Sequence, residues 1–441
     1  MDNFRIERLV INKIGPFEHL KLDFPLKKEL DKAEIHILTG ENGTGKSTIL
    51  EALIYPINVD TTRQFIYPED MYRIQNGIVN KIWNQRIDSR IQIKFSTINS
   101  FSAYWSEDKW MVDHLQAYTI LEYLNRANRL DSNDLNIAFF AYSGYRKAEK
   151  TSITGIQEIE ESPIANAHNF HLSITPQNLI QWLVNIQTRE LIAKGKGDIE
   201  KAKQYRRTIG IIEDALGEII ESEVKFDLEE DPLGVKIKVD GQSLNFDQLP
   251  DGLKSMVSWM GDLLMRMDRL KWVNNTPVLE RNFILLLDEI EVHLHPAWQR
   301  KILPVVQKLF KNAQIFISTH SPFVVGSVDG AWVHRFVKKD GYSVLAGEPI
   351  LSEDAKSYDY ILEEIFGIKE RFGVDVERKL AEFQLLKKEV LKSPETVDLT
   401  RFKELIGELM NQNSVEIESI LGMELRQLKR LTNQDFSVAE I

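Results

Sequence analysis

Gly40-Glu41-Asn42-Gly43-Thr44-Gly45-Lys46-Ser47-Thr48 follows the apolar run Ile35-His36-Ile37-Leu38 and precedes Ile49, Leu50, Leu53 and Ile54, an apolar stripe at helical spacing. The segment fits the phosphate-loop pattern G-x-x-x-x-G-K-[ST] in the strand-to-helix context that the pattern requires. Its glycines let successive backbone N–H groups converge on one anion, and a helix opening near Lys46 points its positive end at the same place. Gly40 to Thr48 are therefore expected to cradle the phosphates of a nucleotide. Lys46 would reach the β- and γ-phosphates, and the Ser47 hydroxyl would hold Mg²⁺. The competing reading is a glycine-rich turn ahead of a helix, which leaves the lysine and the hydroxyl without a purpose.

The rest of the composition narrows the setting. At 441 residues the chain is longer than one ordinary core, which suggests two or three domains or lobes. Cysteine is absent, so disulfides and thiolate metal sites are excluded. The first residues lack the basic and apolar regions of a signal peptide, and no stretch has the apolar length of a membrane span, so a cytoplasmic protein without a membrane partner is expected. The 66 acidic and 55 basic side chains leave a net charge of −11, which argues against coating DNA by charge alone.

Outward from the loop, Phe4 to Ile11 and the alternation of Leu20, Leu22 and Phe24 read as a hairpin of strands. Ile91, Ile93 and Phe95, followed by short strands near Phe101 to Trp105 and Trp110 to Val112, suggest an antiparallel sheet beside the nucleotide. Leu135 to Ala141 suits a strand buried on both faces, which would place Arg146 just past a strand end. A structural salt bridge and a phosphate contact are both open to that arginine. From Asn178 to about Glu221 the pattern is helical, broken near Gly195 and Gly197. Its basic run, including Lys201, Lys203, Arg206 and Arg207, reads as a solvated face or as a nucleic-acid or partner surface. Four helical stretches between Tyr360 and Leu428 form an appendage.

Two further stretches carry chemistry. Phe283-Ile284-Leu285-Leu286-Leu287 runs straight into Asp288-Glu289, and a carboxylate pair at the end of a buried strand calls for a cation. Asp288 is placed to hold the Mg²⁺ shell, and Glu289 to orient an attacking water. The strand from Ala313 to Ser318 ends at Thr319-His320, from which His320 would reach the γ-phosphate. His293 and His295 lack a third ligand at metal-binding spacing, so packing or subunit contact is their expected role. Trp105, Trp110, Trp182, Trp259 and Trp298 fit apolar faces.

Taken in order, Gly40 to Thr48, Leu249 to Ser255, Leu285 to Glu289, His293 to Pro296 and Ser318 to Pro322 resemble the motif series of ABC-type ATPase heads of the SMC, RecF and OLD proteins, up to about residue 350. Asp288 to Pro296 together with Ser318 to Pro322 is similar to the OLD-like branch, and within it to stand-alone ATPases of anti-phage systems such as the PtuA proteins of Septu. The resemblance implies an α/β fold: a P-loop ABC-type head with a mixed sheet flanked by helices and an antiparallel β lobe, carrying a short helical insertion and a C-terminal helical appendage. The implied divisions are 1–175 and 223–350 for the two parts of the head, 176–222 for the insertion and 351–441 for the appendage.

The same resemblance implies ATP and Mg²⁺ as cofactors and Glu289, Lys46 and His320 as catalytic residues. It also implies a homodimer or higher homo-oligomer whose head-to-tail ATP sites are completed in trans by Leu249, Gly252 and Ser255. Pro250 departs from the family's Leu-Ser-x-Gly signature, and Ile290 stands where many relatives have proline. The implied function is ATP hydrolysis controlling a separate nuclease effector in anti-phage defence. A RecF-like ATPase clamping DNA directly and a slow, nucleotide-gated scaffold are the alternatives.

Overall fold

The computed structural model describes residues 4–54, 90–96, 101–106, 109–112, 135–144, 153, 155–168, 170, 176–353, 355–392, 399–432 and 436. Arg146, and the stretch 56–89 that precedes the antiparallel strands, lie outside them. The side chains of Trp105 and Trp110 do too.

Strand β3 (Glu34–Gly40) leads into the phosphate loop and is buried along nearly all its length. It lies between two parallel strands, β12 (Gln314–Ser318) and β13 (Trp332–Lys339). Next to β12 comes β11 (Phe283–Leu287), and then β7 (Ala138–Tyr142), both parallel. Strands β14 (Tyr342–Leu345) and β15 (Ile350–Leu351) join β13 antiparallel. The sheet is thus mixed, with its phosphate-loop strand in the interior.

The uninterrupted apolar character of β11 follows from this position. Phe283, Leu285 and Leu287 enter the core on one face of the sheet, and Ile284 and Leu286 enter the core on the other. A strand covered on both sides has no use for polar alternation.

On the second face, helix α1 (Lys46–Ile54) packs beneath a five-stranded antiparallel lobe. Its strands are β1 (Ile6–Ile14), β2 (Phe17–Asp23), β4 (Arg90–Phe95), β5 (Phe101–Ser106) and β6 (Lys109–Val112), in the order β2-β1-β4-β5-β6. The half-buried alternation of β4 buries Ile91, Ile93 and Phe95 and exposes the residues between them. Gln314 ties this lobe to the main sheet, because its side-chain amide accepts from Ile6 N at 2.7 Å and donates to Ile6 O at 2.8 Å. Beside it, Arg5 grips the Glu34 carboxylate, which also accepts from His36 Nε2 at 2.9 Å. His36 Nδ1 lies 3.2 Å from His334 Nε2.

The first face is covered by α2 (Pro176–Gly195), α3 (Ile199–Ile220), α4 (Asp251–Arg269) and α5 (Pro296–Leu309). Trp182 and Trp259 are buried here, as the apolar spacing predicts, and Trp298 is partly buried. A small sheet of β8 (Val224–Glu230), β9 (Leu233–Val239) and β10 (Gln242–Leu244) is strapped to α3 through buried Glu213, which accepts from Phe226 N at 2.8 Å. Glu213 also binds Arg206 at 2.6 Å, so one charge of the basic run is engaged within its own chain.

The chain divides into two compact units, Met1–Phe366 and Gly367–Ile441. The first extends beyond residue 350 because β15 completes the sheet and Ile361 and Ile365 enter its core. The second is a helical unit of α6 (Val374–Lys392), α7 (Leu399–Met410) and α8 (Val415–Thr432) around Phe383, Val390, Phe402, Leu405 and Leu421. Among the described residues no helix is long and apolar enough to cross a membrane.

Candidate nucleotide site

The phosphate loop is held from below by tight contacts that only glycine allows. Gly40 has φ +146° and Gly45 has φ +87°. A Cβ on Gly40 would lie 2.3 Å from the Phe336 carbonyl oxygen, and one on Gly45 2.5 Å from the Phe17 ring. The β1–β2 turn and strand β13 therefore fix the loop from two sides. Lys46 folds its ammonium back over the loop and donates to the carbonyls of Gly40 and Glu41, each at 3.0 Å. Burial draws its pKa down, against the nearby carboxylates of Asp288, Glu289 and Glu291.

Ser47, on the first turn of α1, donates to Asp288 Oδ1 at 3.1 Å. Asp288 follows directly on β11, and its N–H donates to Tyr142 O at 2.9 Å, continuing the pairing of β11 with β7. Ser318, the last residue of β12, donates its hydroxyl to the same Asp288 oxygen. That hydroxyl in turn accepts from Glu289 N at 2.8 Å. Glu289 adopts a left-handed backbone, φ +46°, and its carboxylate lies against Gly144, where a Cβ would meet Oε2 at 2.8 Å. The turn after the strand thus aims Glu289 along the strand ends.

His320 sits two residues beyond β12, with its N–H donating to Glu291 Oε1 at 2.5 Å. Burial lowers its pKa, as does the charge of Lys46, while Asp288 opposes the shift. The imidazole is thereby pushed toward its neutral form. Burial raises the pKa of Glu291 against the His320 backbone hydrogen bond.

The structure thus gathers Lys46, Ser47, Asp288, Glu289 and His320 at the carboxyl ends of β3, β11 and β12, where parallel sheets present ligand sites. The donor set suits an ATP·Mg²⁺ complex: a lysine over the loop, and a serine hydroxyl beside a carboxylate, both oxygen donors that a hard cation accepts.

Leu249, Gly252 and Ser255 are placed differently. Leu249 and Ser255 are each 3% exposed and pack within their own chain. A Cβ on Gly252 would lie 2.6 Å from the His293 carbonyl oxygen and 3.0 Å from Trp298. Pro250 caps the start of α4, and the outward side chain of its first turn is Asp251, 76% exposed. His295 caps α5, accepting from Ala297 N at 3.2 Å, and His293 turns through φ +65°.

Four contributions escape a reading of the motifs: the role of the Ser318 hydroxyl, which lies within a motif but is assigned no task there, Gly144, the Tyr142 carbonyl and Lys338. The Lys338 ammonium lies 3.4 Å from where a Cβ on Gly43 would stand. Ser318 carried a signal, a hydroxyl at the end of a buried strand two residues before His320.

A family model described as "AAA domain" matches residues 4–130. A second, described as "AAA domain, putative AbiEii toxin, Type IV TA system", matches residues 185–326. The two matched stretches are thus similar to AAA-type ATPase domains, and such a domain implies ATP binding. The chain is distantly similar to proteins named as probable ATPases of retrons and to Septu PtuA proteins. The "Retron Ec83 probable ATPase" of Escherichia coli is 28% identical over 242 residues, 54% of this chain and 43% of that protein. The "Retron Vc95 probable ATPase" of Vibrio cholerae is 22% identical over 373 residues, 73% and 72% of the two chains. Septu protein PtuA of Bacillus thuringiensis is 27% identical over 130 residues, 29% and 33% of the two chains. The matches thus span less than half the length of the Ec83 and PtuA relatives. A solved SMC head bound to the C-winged helix domain of ScpA aligns with a TM-score of 0.43 at 16% identity, covering 79% of this chain and 98% of that one.

Proposed function

We propose that the chain binds ATP with Mg²⁺ and hydrolyses it, with two copies closing head to tail over the nucleotides, and that this cycle controls a separate nuclease in anti-phage defence. The observation that carries the reading is the convergence of Lys46, Ser47, Asp288, Glu289 and His320 at one edge of the sheet. Ser47 and Asp288 would hold Mg²⁺, whose charge would offset that developing on the phosphates. On nucleotide binding, Lys46 would exchange its loop carbonyls for phosphate oxygens. Glu289, held at the strand end by the Ser318 hydroxyl, is the group positioned to orient water and accept its proton. His320, kept toward neutrality, would donate a hydrogen bond to the outermost phosphate.

The other half of a closed site would come from the start of α4 on a second copy. Because Leu249 and Ser255 are buried in their own chain, that contact would fall to the backbone N–H groups around Asp251 and Gly252. Retron and Septu relatives support the defence setting.

The test is ATP binding, phosphate release and sedimentation of three proteins in parallel. Lys46→Ala should lose nucleotide binding, and Glu289→Gln should keep ATP, release little phosphate and sediment as a dimer. Equal phosphate release by wild type and Glu289→Gln would remove Glu289 from the mechanism.

A further inference from the structure

Between the catalytic edge and the second half of α4 lies a buried polar chain that the motifs do not include. The Tyr142 hydroxyl donates to Asp262 Oδ2 at 2.9 Å, and the same oxygen accepts from Arg266 Nε at 2.6 Å. Tyr142 is 4% exposed and Asp262 3%. Arg266 donates onward to the carbonyls of Pro163 and Ala165, at 2.9 and 2.8 Å. The Tyr142 ring also faces Trp259, one turn earlier on α4, with centroids 6.3 Å apart.

Tyr142 ends β7, and its backbone does a second task. Its carbonyl accepts from Asp288 N at 2.9 Å. Two residues later Gly144 lies under the Glu289 carboxylate. Asp262 is twelve residues into the helix from Pro250, roughly 18 Å along its axis. The helix whose exposed end would meet the partner's nucleotide is therefore hydrogen-bonded, deep in the protein, to the residue whose backbone sets Asp288 and leads into the floor beneath Glu289.

A tyrosine hydroxyl and an aspartate in this apolar core are costly to bury, and packing alone would be served by phenylalanine and leucine. We infer that the Tyr142–Asp262 hydrogen bond, braced by Arg266, is a positioning link that passes the placement of α4 to Asp288 and Glu289, so that engagement of the helix start by a second copy's nucleotide tunes hydrolysis. The inference rests on the ATPase reading above, and Tyr142 and Asp262 act only through the catalytic residues.

The experiment compares wild type, Tyr142→Phe, Asp262→Asn and the double variant with Glu289→Gln. ATP turnover is measured across ATP and protein concentration, with amide exchange of residues 143–144 and 288–290 followed with and without ATP. Tyr142→Phe removes one oxygen and keeps the ring. It should lower kcat about tenfold, leave KM within about twofold, and bring turnover close to independent of protein concentration, because geometry at the reacting group is lost and binding is not. The double variant should fall no further than either single one, the mark of one linked unit. Wild-type kcat and concentration dependence in Tyr142→Phe would overturn the link, as would additive losses. Hydrolysis by wild type and its loss in Glu289→Gln establish the ATPase reading separately. If wild type does not hydrolyse ATP, that reading fails and exchange decides the link: ATP-induced slowing at 288–290 that Tyr142→Phe abolishes supports it, and equal slowing overturns it.

Discussion

Ser47 and Asp288 are hydrogen-bonded at 3.1 Å although 241 positions separate them in the chain. In the function proposed above, this hydroxyl and carboxylate would form the protein side of a magnesium shell. Magnesium should therefore tighten ATP binding in wild type and do so less in Asp288→Asn and Ser47→Ala. Titration with ATP in Mg²⁺ or in EDTA should show the difference shrinking by about tenfold, roughly 1.4 kcal/mol. An unchanged magnesium effect in both variants would place the cation elsewhere.

Gly252 and His293 touch backbone to backbone, leaving no room for a methyl group. Gly252→Ala should push the start of α4 away from the turn that carries His293. We expect a loss of about 1–3 kcal/mol in denaturant unfolding, the usual cost of overpacking. The ATP-dependent dimer proposed for Glu289→Gln should weaken on adding the same change, as read by sedimentation.

Histidines 36 and 334 are fully buried and 3.2 Å apart. Burial lowers the pKa of each, helped for His334 by the charge of His36 and opposed for His36 by Glu34. A histidine with a lowered folded pKa contributes stability that is full above its unfolded value, near 6.5, and is lost as pH falls from there toward the folded value. Unfolding midpoints measured from pH 8 downward should hold steady and then drop below about 6.5. His334→Gln should flatten that drop. A drop of the same size in the variant would assign it to other groups.

Phe402 stacks on Phe383 with centroids 5.2 Å apart, and both are buried in the C-terminal helical unit. Phe402→Ala should destabilise that unit by about 3–5 kcal/mol. Protease protection of residues 367–432 should fall, while ATP affinity of the first unit stays within about twofold.

The gathering of Lys46, Ser47, Asp288, Glu289 and His320 at one sheet edge was readable because its signals are local. Five apolar residues ending in Asp288-Glu289 describe a strand buried on both faces with charge at its tip, and Gly40 and Gly45 stand where a Cβ would clash with Phe336 and Phe17. Tyr142, Gly144 and the Gln314 clamp on Ile6 were not readable, since each gains its meaning from a strand neighbour remote in the chain. The facing of α4 lies between these cases. The motif marked Leu249, Gly252 and Ser255 as outward, yet Gly252, Ser255, Met256 and Trp259 fall on one helical stripe. Once Gly252 is pressed against His293, that stripe has to face inward.

The place of β3 in the sheet bears on how the protein is made. The strand feeding the phosphate loop is synthesised before both its neighbours, β12 and β13, which lie beyond residue 313. Until β12 has been synthesised, this strand has no partner on either side, and its apolar residues depend on the antiparallel lobe or on chaperones for cover. ATP capture by nascent chains should therefore switch on late and abruptly, and a bound nucleotide on a stalled chain would report that the head has closed.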